Sequence, residues 1–168
     1  SDAPFSEGIL KQVSETYRKI RNTFRFMAGN LDNFDYAQDH VDVKEMSSLN
    51  RYVLNEVYKH NKVAQKAYHE FDFQKITTLV SNDLTNLMSA YYLDYTKDIL
   101  YIEKEDAQSR REIQTVLYEA LMVYSRLLAP ILVHTTEEFN HIFRPQDKSI
   151  HLDRFVEDKD ASLSDKEA

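Results

Sequence analysis

Between residues 9 and 27, Ile9, Val13, Tyr17, Ile20, Phe24 and Met27 recur at steps of three and four. At about 100° per residue this spacing gathers them on one stripe, so it predicts an amphipathic helix from about Ser6 to Ala28. Ser6 suits the N-cap, Glu7 the positive end of the helix dipole, and Gly29 a left-handed residue ending the helix. Lys11, Arg18, Asn22 and Arg25 fall on the opposite face, with Lys19 and Arg21 flanking that line.

Beyond Asn30 the apolar period stops. Residues 31–43 carry Asp32, Asp35, Asp39 and Asp42 and read as a solvated acidic loop, because their spacing is not that of a calcium-binding hand. A second helix is predicted from about Met46 to Phe71, with Leu49, Val53, Val57, Ala64, Ala67 and Phe71 inward. His60 shares that stripe and reads as a core histidine with a hydrogen-bond partner. A third helical stretch, Phe73 to Tyr101, presents Ile76, Val80, Leu84, Leu87 and Tyr91 on one side, with an irregularity expected near Ser89. Tyr91, Tyr92 and Tyr95 are expected to pack in the core with their hydroxyls on polar partners rather than to stack on bases.

The fourth helix, Ser109 to Leu128, is apolar around much of its circumference: Ile113, Val116, Leu117, Ala120, Leu121, Val123, Tyr124, Leu127 and Leu128 all belong to it. It is expected to be the central helix. Pro130 should break or kink the path, and Thr135 or Thr136 ahead of Glu137 and Glu138 predicts a short capped helix to Phe143. A polar tail follows Arg144, with 160–168 expected to fray.

Two glycines and three prolines in 168 residues, with 42% hydrophobic and 12% aromatic content, make this an all-α antiparallel helix bundle of four to five main helices. Residues 1–5 read as a flexible start or a remnant of cloning, 6–145 as the helical domain, and 146–168 as a polar segment leading onward. The absence of cysteine excludes disulfides, thiol nucleophiles and Cys-ligated zinc. A formal charge of −7 opposes nonspecific attraction to DNA or anionic membranes, so a polyanion must meet a local basic stripe.

The catalytic inventory is empty. Neither glycine belongs to a phosphate loop or a dinucleotide fingerprint, so no nucleotide chemistry is expected of these residues. Glu138-Phe139-Asn140-His141 has the ligand spacing of a di-iron bundle, but His60 and His69 have no Glu three residues earlier, so no metal site is expected. Lys44-Glu45-Met46-Ser47-Ser48 is a chance likeness to a synthetase signature loop, with the wrong spacing.

The string Tyr17-Arg18-Lys19-Ile20-Arg21-Asn22-Thr23-Phe24-Arg25-Phe26, followed by Gly29-Asn30-Leu31, resembles the start of the anticodon-binding domain of the isoleucyl-tRNA synthetase family. Leu49-Asn50-Arg51-Tyr52, Tyr91 to Asp98, Gln114-Thr115-Val116-Leu117-Tyr118, Arg126 to Leu132 with Thr136-Glu137-Glu138, and Ser149-Ile150-His151-Leu152 extend the resemblance in order. Ile99, where the family often has Arg, and Val133-His134, where it often has Pro-Phe, depart from the pattern.

The resemblance implies a class I synthetase anticodon-binding domain that holds the anticodon stem of tRNA, from the isoleucine acceptor, while a separate domain performs catalysis. It implies a cytoplasmic parent enzyme that uses ATP, magnesium and zinc outside these residues, with neighbouring domains of the same polypeptide as further partners. The tRNA-binding residues expected are Lys11, Arg18, Lys19, Arg21, Asn22 and Arg25. Physical chemistry gives the same line a reason: Lys11, Arg18 and Arg25 stand about 10.5 Å apart on a helix, and Arg grips phosphate oxygens bidentately. A helical protein-interaction module that binds no nucleic acid is the other reading, supported by Phe26, which projects away from the core stripe.

Overall fold

The computed structural model describes residues 7–104 and 106–142, apart from the side chains of 9, 10, 13 and 132–142. Helix α1 (Glu7–Gly29) is followed by the short α2 (Tyr36–Asp39), a 3-10 turn (Val43–Glu45) and α3 (Ser48–His69). Then α4 (Phe73–Asn82), a π-helix (Asp83–Leu93) and α5 (Asp94–Ile102) form one continuous rod, and α6 (Gln108–Ile142) closes the bundle. No strand occurs among the described residues, and none of their helices is long and apolar enough to cross a membrane.

Tyr17, Ile20, Phe24 and Met27 are buried as their period predicts; the side chains of Ile9 and Val13, and the Ser6 cap, lie outside the described residues. Gly29 corrects the expected C-terminal signal. It is the last residue of α1 and has no positive φ. Asn30 closes the helix instead, its side-chain amide donating to the Phe26 carbonyl at 2.9 Å, while the amides of Asn30 and Leu31 bond back to Met27 and Ala28.

Segment 31–43 is more than a solvated loop. Leu31 and Phe34 enter the core, and Asp35 caps α2 by accepting from the Ala37 amide at 3.1 Å. Asp39 reaches back to the Asp35 amide at 2.8 Å. The local apolar period missed this because only two core residues anchor the segment; distant partners on α6 supply the rest.

In α3, Val53, Val57, Ala64 and Ala67 are buried and Leu49 is partly so. Phe71 is the exception: the helix stops at His69, and Phe71 is 77% exposed with φ 58°. The Asp72 amide bonds to the Ala67 carbonyl at 2.8 Å and the Phe71 amide to Tyr68 at 3.0 Å, a helix-ending turn whose left-handed position usually holds glycine.

The third rod holds the largest departure from an ideal helix. Ile76, Val80, Leu84, Met88, Tyr92, Thr96 and Leu100 are all buried, a strict period of four. In an α-helix each four-residue step overshoots a full turn by about 40°, which would carry the stripe off the core within a few steps. The i→i+5 bonding of 83–93 turns less per residue and returns the stripe to the core. The irregularity expected near Ser89 lies inside this π-helix. The same shift overturns the placement of Tyr91 and Tyr95, which are 44% and 68% exposed, whereas Tyr92 is fully buried.

Helix α6 is central as expected, packing against α1, α3, α4 and α5 and burying Ile113, Val116, Leu117, Leu121, Tyr124 and Leu128. It does not break at Pro130, and the separate capped helix from Thr135 is absent, the backbone continuing to Ile142. A proline inside a helix costs about 3 kcal/mol. Leu127, Leu128 and Ile131 are buried on either side of it, and each aliphatic side chain repays about 1.5–3 kcal/mol. Pro130 and Arg126 are both exposed, so the position where the ring replaces an N–H lies on the outer side of the helix. Phe143 and the polar tail lie outside the described residues.

Candidate nucleic-acid interface

The motif residues divide into those that build the bundle and those that project from it. Tyr92 donates to Asn50 Oδ1 at 2.8 Å; Asn50 Nδ2 donates to Glu112 Oε1 at 3.0 Å, which also accepts the Ser47 amide at 2.7 Å. This chain joins the π-helix, the start of α3 and α6 through a buried carboxylate. Burial, with the Glu112 charge nearby, holds the Tyr92 phenol well above its ordinary pKa. Gln114 donates to the Asn30 carbonyl at 2.8 Å and Thr115 accepts the Val41 amide at 3.0 Å, so this pair ties the 30–41 segment to α6.

A second buried network lies one level further along the bundle. Asp83 Oδ2 accepts from the Tyr124 hydroxyl at 2.7 Å and faces His60 Nδ1 at 2.8 Å. His60 thus has the partner expected of it, but its side chain remains 29% exposed and its other nitrogen lies 3.5 Å from Glu56. On the far side, Tyr36 donates to Glu119 at 2.5 Å and stacks between His40 and Tyr118. Burial and the Glu119 carboxylate push the neighbouring Tyr58 up to about 12.

The cations of α1 form a different population. Lys11, Arg18, Lys19, Asn22 and Arg25 are exposed and Arg21 is half-buried, with Lys11, Arg18 and Arg25 opposite the buried Tyr17, Ile20, Phe24 and Met27. Among the described residues none of these five cations forms an ion pair. Several arginines elsewhere are engaged in the fold: Arg111 bonds the Asn33 carbonyl at 2.6 Å and lies 3.6 Å from Asp39, and Arg110 bonds the Leu100 carbonyl; Lys97 pairs with Asp94 at 3.2 Å, while the other described lysines outside α1, like the α1 row, form no ion pair among the described residues. The α1 row is therefore free to take an external anion. Beneath Arg18 and Arg25 the opposite face of the helix, from Tyr17 to Met27, is buried in the core.

Sequence reasoning missed a groove of about 370 Å³ between the first half of α1 and α4. Gln12, Gln74, Thr78 and Asn82 are among its walls. The signal was present: Gln74, Thr78 and Asn82 recur every four residues, and uncharged polar residues were passed over in favour of charges. The described residues contain no group of three or more His, Asp or Glu side chains arranged to hold a metal ion.

Comparison with known proteins agrees with the all-helical architecture. The family described as "Anticodon-binding domain of tRNA ligase" matches residues 50–168. An isoleucine–tRNA ligase of Geobacillus thermodenitrificans is 50% identical over 143 residues, covering 84% of this chain and 16% of that protein. One from Staphylococcus epidermidis is 44% identical over 169 residues (99% and 18%), and one from Bacillus licheniformis 42% identical over 161 residues (95% and 18%). The chain spans less than a fifth of the length of these curated relatives.

Proposed function

The chain belongs to the anticodon-binding-domain family of tRNA ligases, and on that premise we propose that it is the tRNA-binding domain of an isoleucine–tRNA ligase. In this reading it holds the anticodon stem of the isoleucine acceptor while ATP-dependent aminoacylation takes place in a catalytic domain outside these residues. The observation that carries it is the row Lys11, Arg18 and Arg25: exposed, opposite the core and without ion pairs among the described residues. Lys19 and Arg21 flank the row and Asn22 adds a neutral donor and acceptor, so a phosphate backbone laid along α1 meets successive cations. An acidic protein gains selectivity this way, since its overall field repels polyanions that do not fit the row.

The test is equilibrium binding of the tRNA transcript, in the parent polypeptide, across a salt series. Reversing Arg18→Glu and Arg25→Glu is expected to weaken binding and to flatten the slope of log affinity against log salt by about 0.7–0.9 per lost phosphate contact. Amino-acid activation, measured by isoleucine-dependent pyrophosphate exchange, should stay unchanged. Unaltered affinity and slope in a folded double variant would reduce the row to a solvated face.

The second reading, a protein-docking module, draws on Phe26 at 48% exposure and on Phe71 beside Phe73. Apolar docking does not fall steeply with salt, so the same titration separates the two.

A further inference from the structure

Helix α3 carries a second row of cations. Lys59, Lys62 and Lys66 are exposed on the face away from the buried Val53, Val57 and Ala64, and none has an ion pair among the described residues. They span about 10.5 Å of helix and surround Val63, an apolar side chain left 39% exposed. The one carboxylate of α3, Glu56, faces His60 at 3.5 Å. A chain of formal charge −7 thus gathers on one helix face three cations around an apolar centre, with no counter-charge beside them.

We propose that this face is covered by residues 155–160 of the same chain, Phe155-Val156-Glu157-Asp158-Lys159-Asp160, which lie outside the described residues. Three carboxylates within four positions meet the three lysines, and the apolar pair ahead of them meets Val63. The path of the chain brings the two together. Helix α6 passes the start of α3, where Glu112 accepts from Asn50, and its end, where the Tyr68 hydroxyl donates to the Leu127 carbonyl. It then runs fifteen residues further to Ile142, about 22 Å beyond the end of α3. A return from Ile142 to the level of Lys59 covers about 36 Å, and the thirteen residues to Phe155 reach about 43 Å when extended. Single exposed ion pairs contribute little, but here several act together around an apolar contact, and the tether keeps the partner at high effective concentration. A phosphate backbone is the weaker occupant: it offers nothing to Val63, and lysine meets phosphate as a point charge, without the bidentate fork of Arg18 and Arg25. The inference stands apart from the tRNA reading of α1; once covered, the α3 face no longer competes with α1 for a polyanion.

Two measurements on the parent polypeptide test it. Carbodiimide joins an amine to a carboxylate only where they touch. It is expected to link Lys59, Lys62 or Lys66 to Glu157, Asp158 or Asp160 within one molecule at low salt, and to lose that link at high salt. Hydrogen exchange read by mass spectrometry then follows the amides of 155–160. Lys62→Glu with Lys66→Glu should speed their exchange about fivefold, and adding Glu157→Lys with Asp158→Lys should restore the native rate, a rescue that damage to the fold does not give. Both lysines are exposed, so melting should stay the same, and the carbodiimide experiment needs no variant at all. Affinity for tRNA and its salt slope should also be unchanged by the α3 reversal. Links from these lysines only to other parts of the polypeptide or to a second copy, native exchange in 155–160 as fast as in an unfolded peptide, or failure of the rescue overturns the assignment. A flattened salt slope in the α3 variant gives the face to RNA and overturns it as well, whereas the α1 reading is decided separately by Arg18→Glu with Arg25→Glu.

Discussion

Glu112 on α6 and Arg18 on α1 are both charged residues on long helices, yet they sit at opposite extremes. Glu112 is 7% exposed and takes hydrogen bonds from Ser47, Asn50 and Gln108; Arg18 is exposed and has no ion pair among the described residues. A buried charge persists only where its partners are supplied by the fold. A row of exposed charges left unpaired is not needed by the fold, and its stability value is near zero. The two regions therefore separate what holds the bundle together from what the bundle presents.

The strongest way to break this comparison is to remove the buried carboxylate. Glu112→Leu leaves the Ser47 amide and the Asn50 amide without acceptors and is expected to destabilise the chain by about 3 kcal/mol. For a domain of this size that is a fall of roughly 6–12 °C in Tm. Thermal or urea unfolding measures it, and tRNA affinity of the fraction that remains folded should match the native protein. A Glu112 variant of native stability would mean the network is ornamental.

Two arginines sharpen the contrast. Arg111→Ala removes the contacts to Asn33, Asp39 and Gln114 that hold the 30–41 segment, and should cost about 1.5–3 kcal/mol with little change in RNA affinity. Arg18→Ala should do the reverse, keeping stability within about 0.5 kcal/mol while RNA affinity drops. Paired urea melts and binding curves on both variants decide it; equal effects on both properties would erase the distinction between scaffold and surface.

The period of apolar residues made most of this architecture legible. It placed α1 and the core stripe of α3, because these helices bury one face at the 3.6-residue repeat, and the central role of α6, because that helix is apolar around much of its circumference. It failed wherever a distant partner set the backbone. The four-residue spacing from Ile76 to Leu100 was readable, but only an underwound helix makes sense of it; reading it at 3.6 put Tyr91 on the core stripe and left Met88 off it, while Tyr92, also expected in the core, is buried. Helix α6 survives Pro130 because of tertiary burial, which local propensity does not contain. At the candidate site, the cations were plain from their seven-residue spacing, whereas the polar row Gln74, Thr78 and Asn82, though visible along α4, becomes a groove only where α1 meets it.

A smaller effect comes from the tyrosines around Glu119 and Asp83. Tyr58 is pushed up to about 12 by burial and by Glu119, and burial with Asp83 raises Tyr124 further. In the unfolded chain each phenol ionises near pH 10. The folded state holds its protons longer, so this stability is fully present below pH 10 and is lost as pH rises from there through about 12 for Tyr58. Tyr58→Phe should make the decline in Tm between pH 10 and 12 shallower, as followed by circular dichroism. An unchanged alkaline profile would show that Tyr58 ionises alike in both states.

The smallest effects are expected where two helices end, and they invert the usual residue choice. Gly29 occupies a helical position with no positive φ, and a Cβ built there meets nothing within 4 Å. Phe71 occupies a left-handed position at φ 58°, where its ring gains little burial at 77% exposure. Gly29→Ala should reduce the entropy of the unfolded chain and stabilise by about 0.4–1 kcal/mol. Phe71→Gly should relieve a strain of roughly 1–2 kcal/mol, offset by the entropy of a new glycine and by loss of the edge contact to Phe73, for a net gain below about 1 kcal/mol. Both are read from urea midpoints at constant m-value. Destabilisation by Gly29→Ala would restore the glycine as the true helix terminator. Destabilisation by Phe71→Gly would mean that the exposed ring packs more tightly against Phe73 than its exposure implies, and that this end of α3 belongs with the scaffold rather than with the surface.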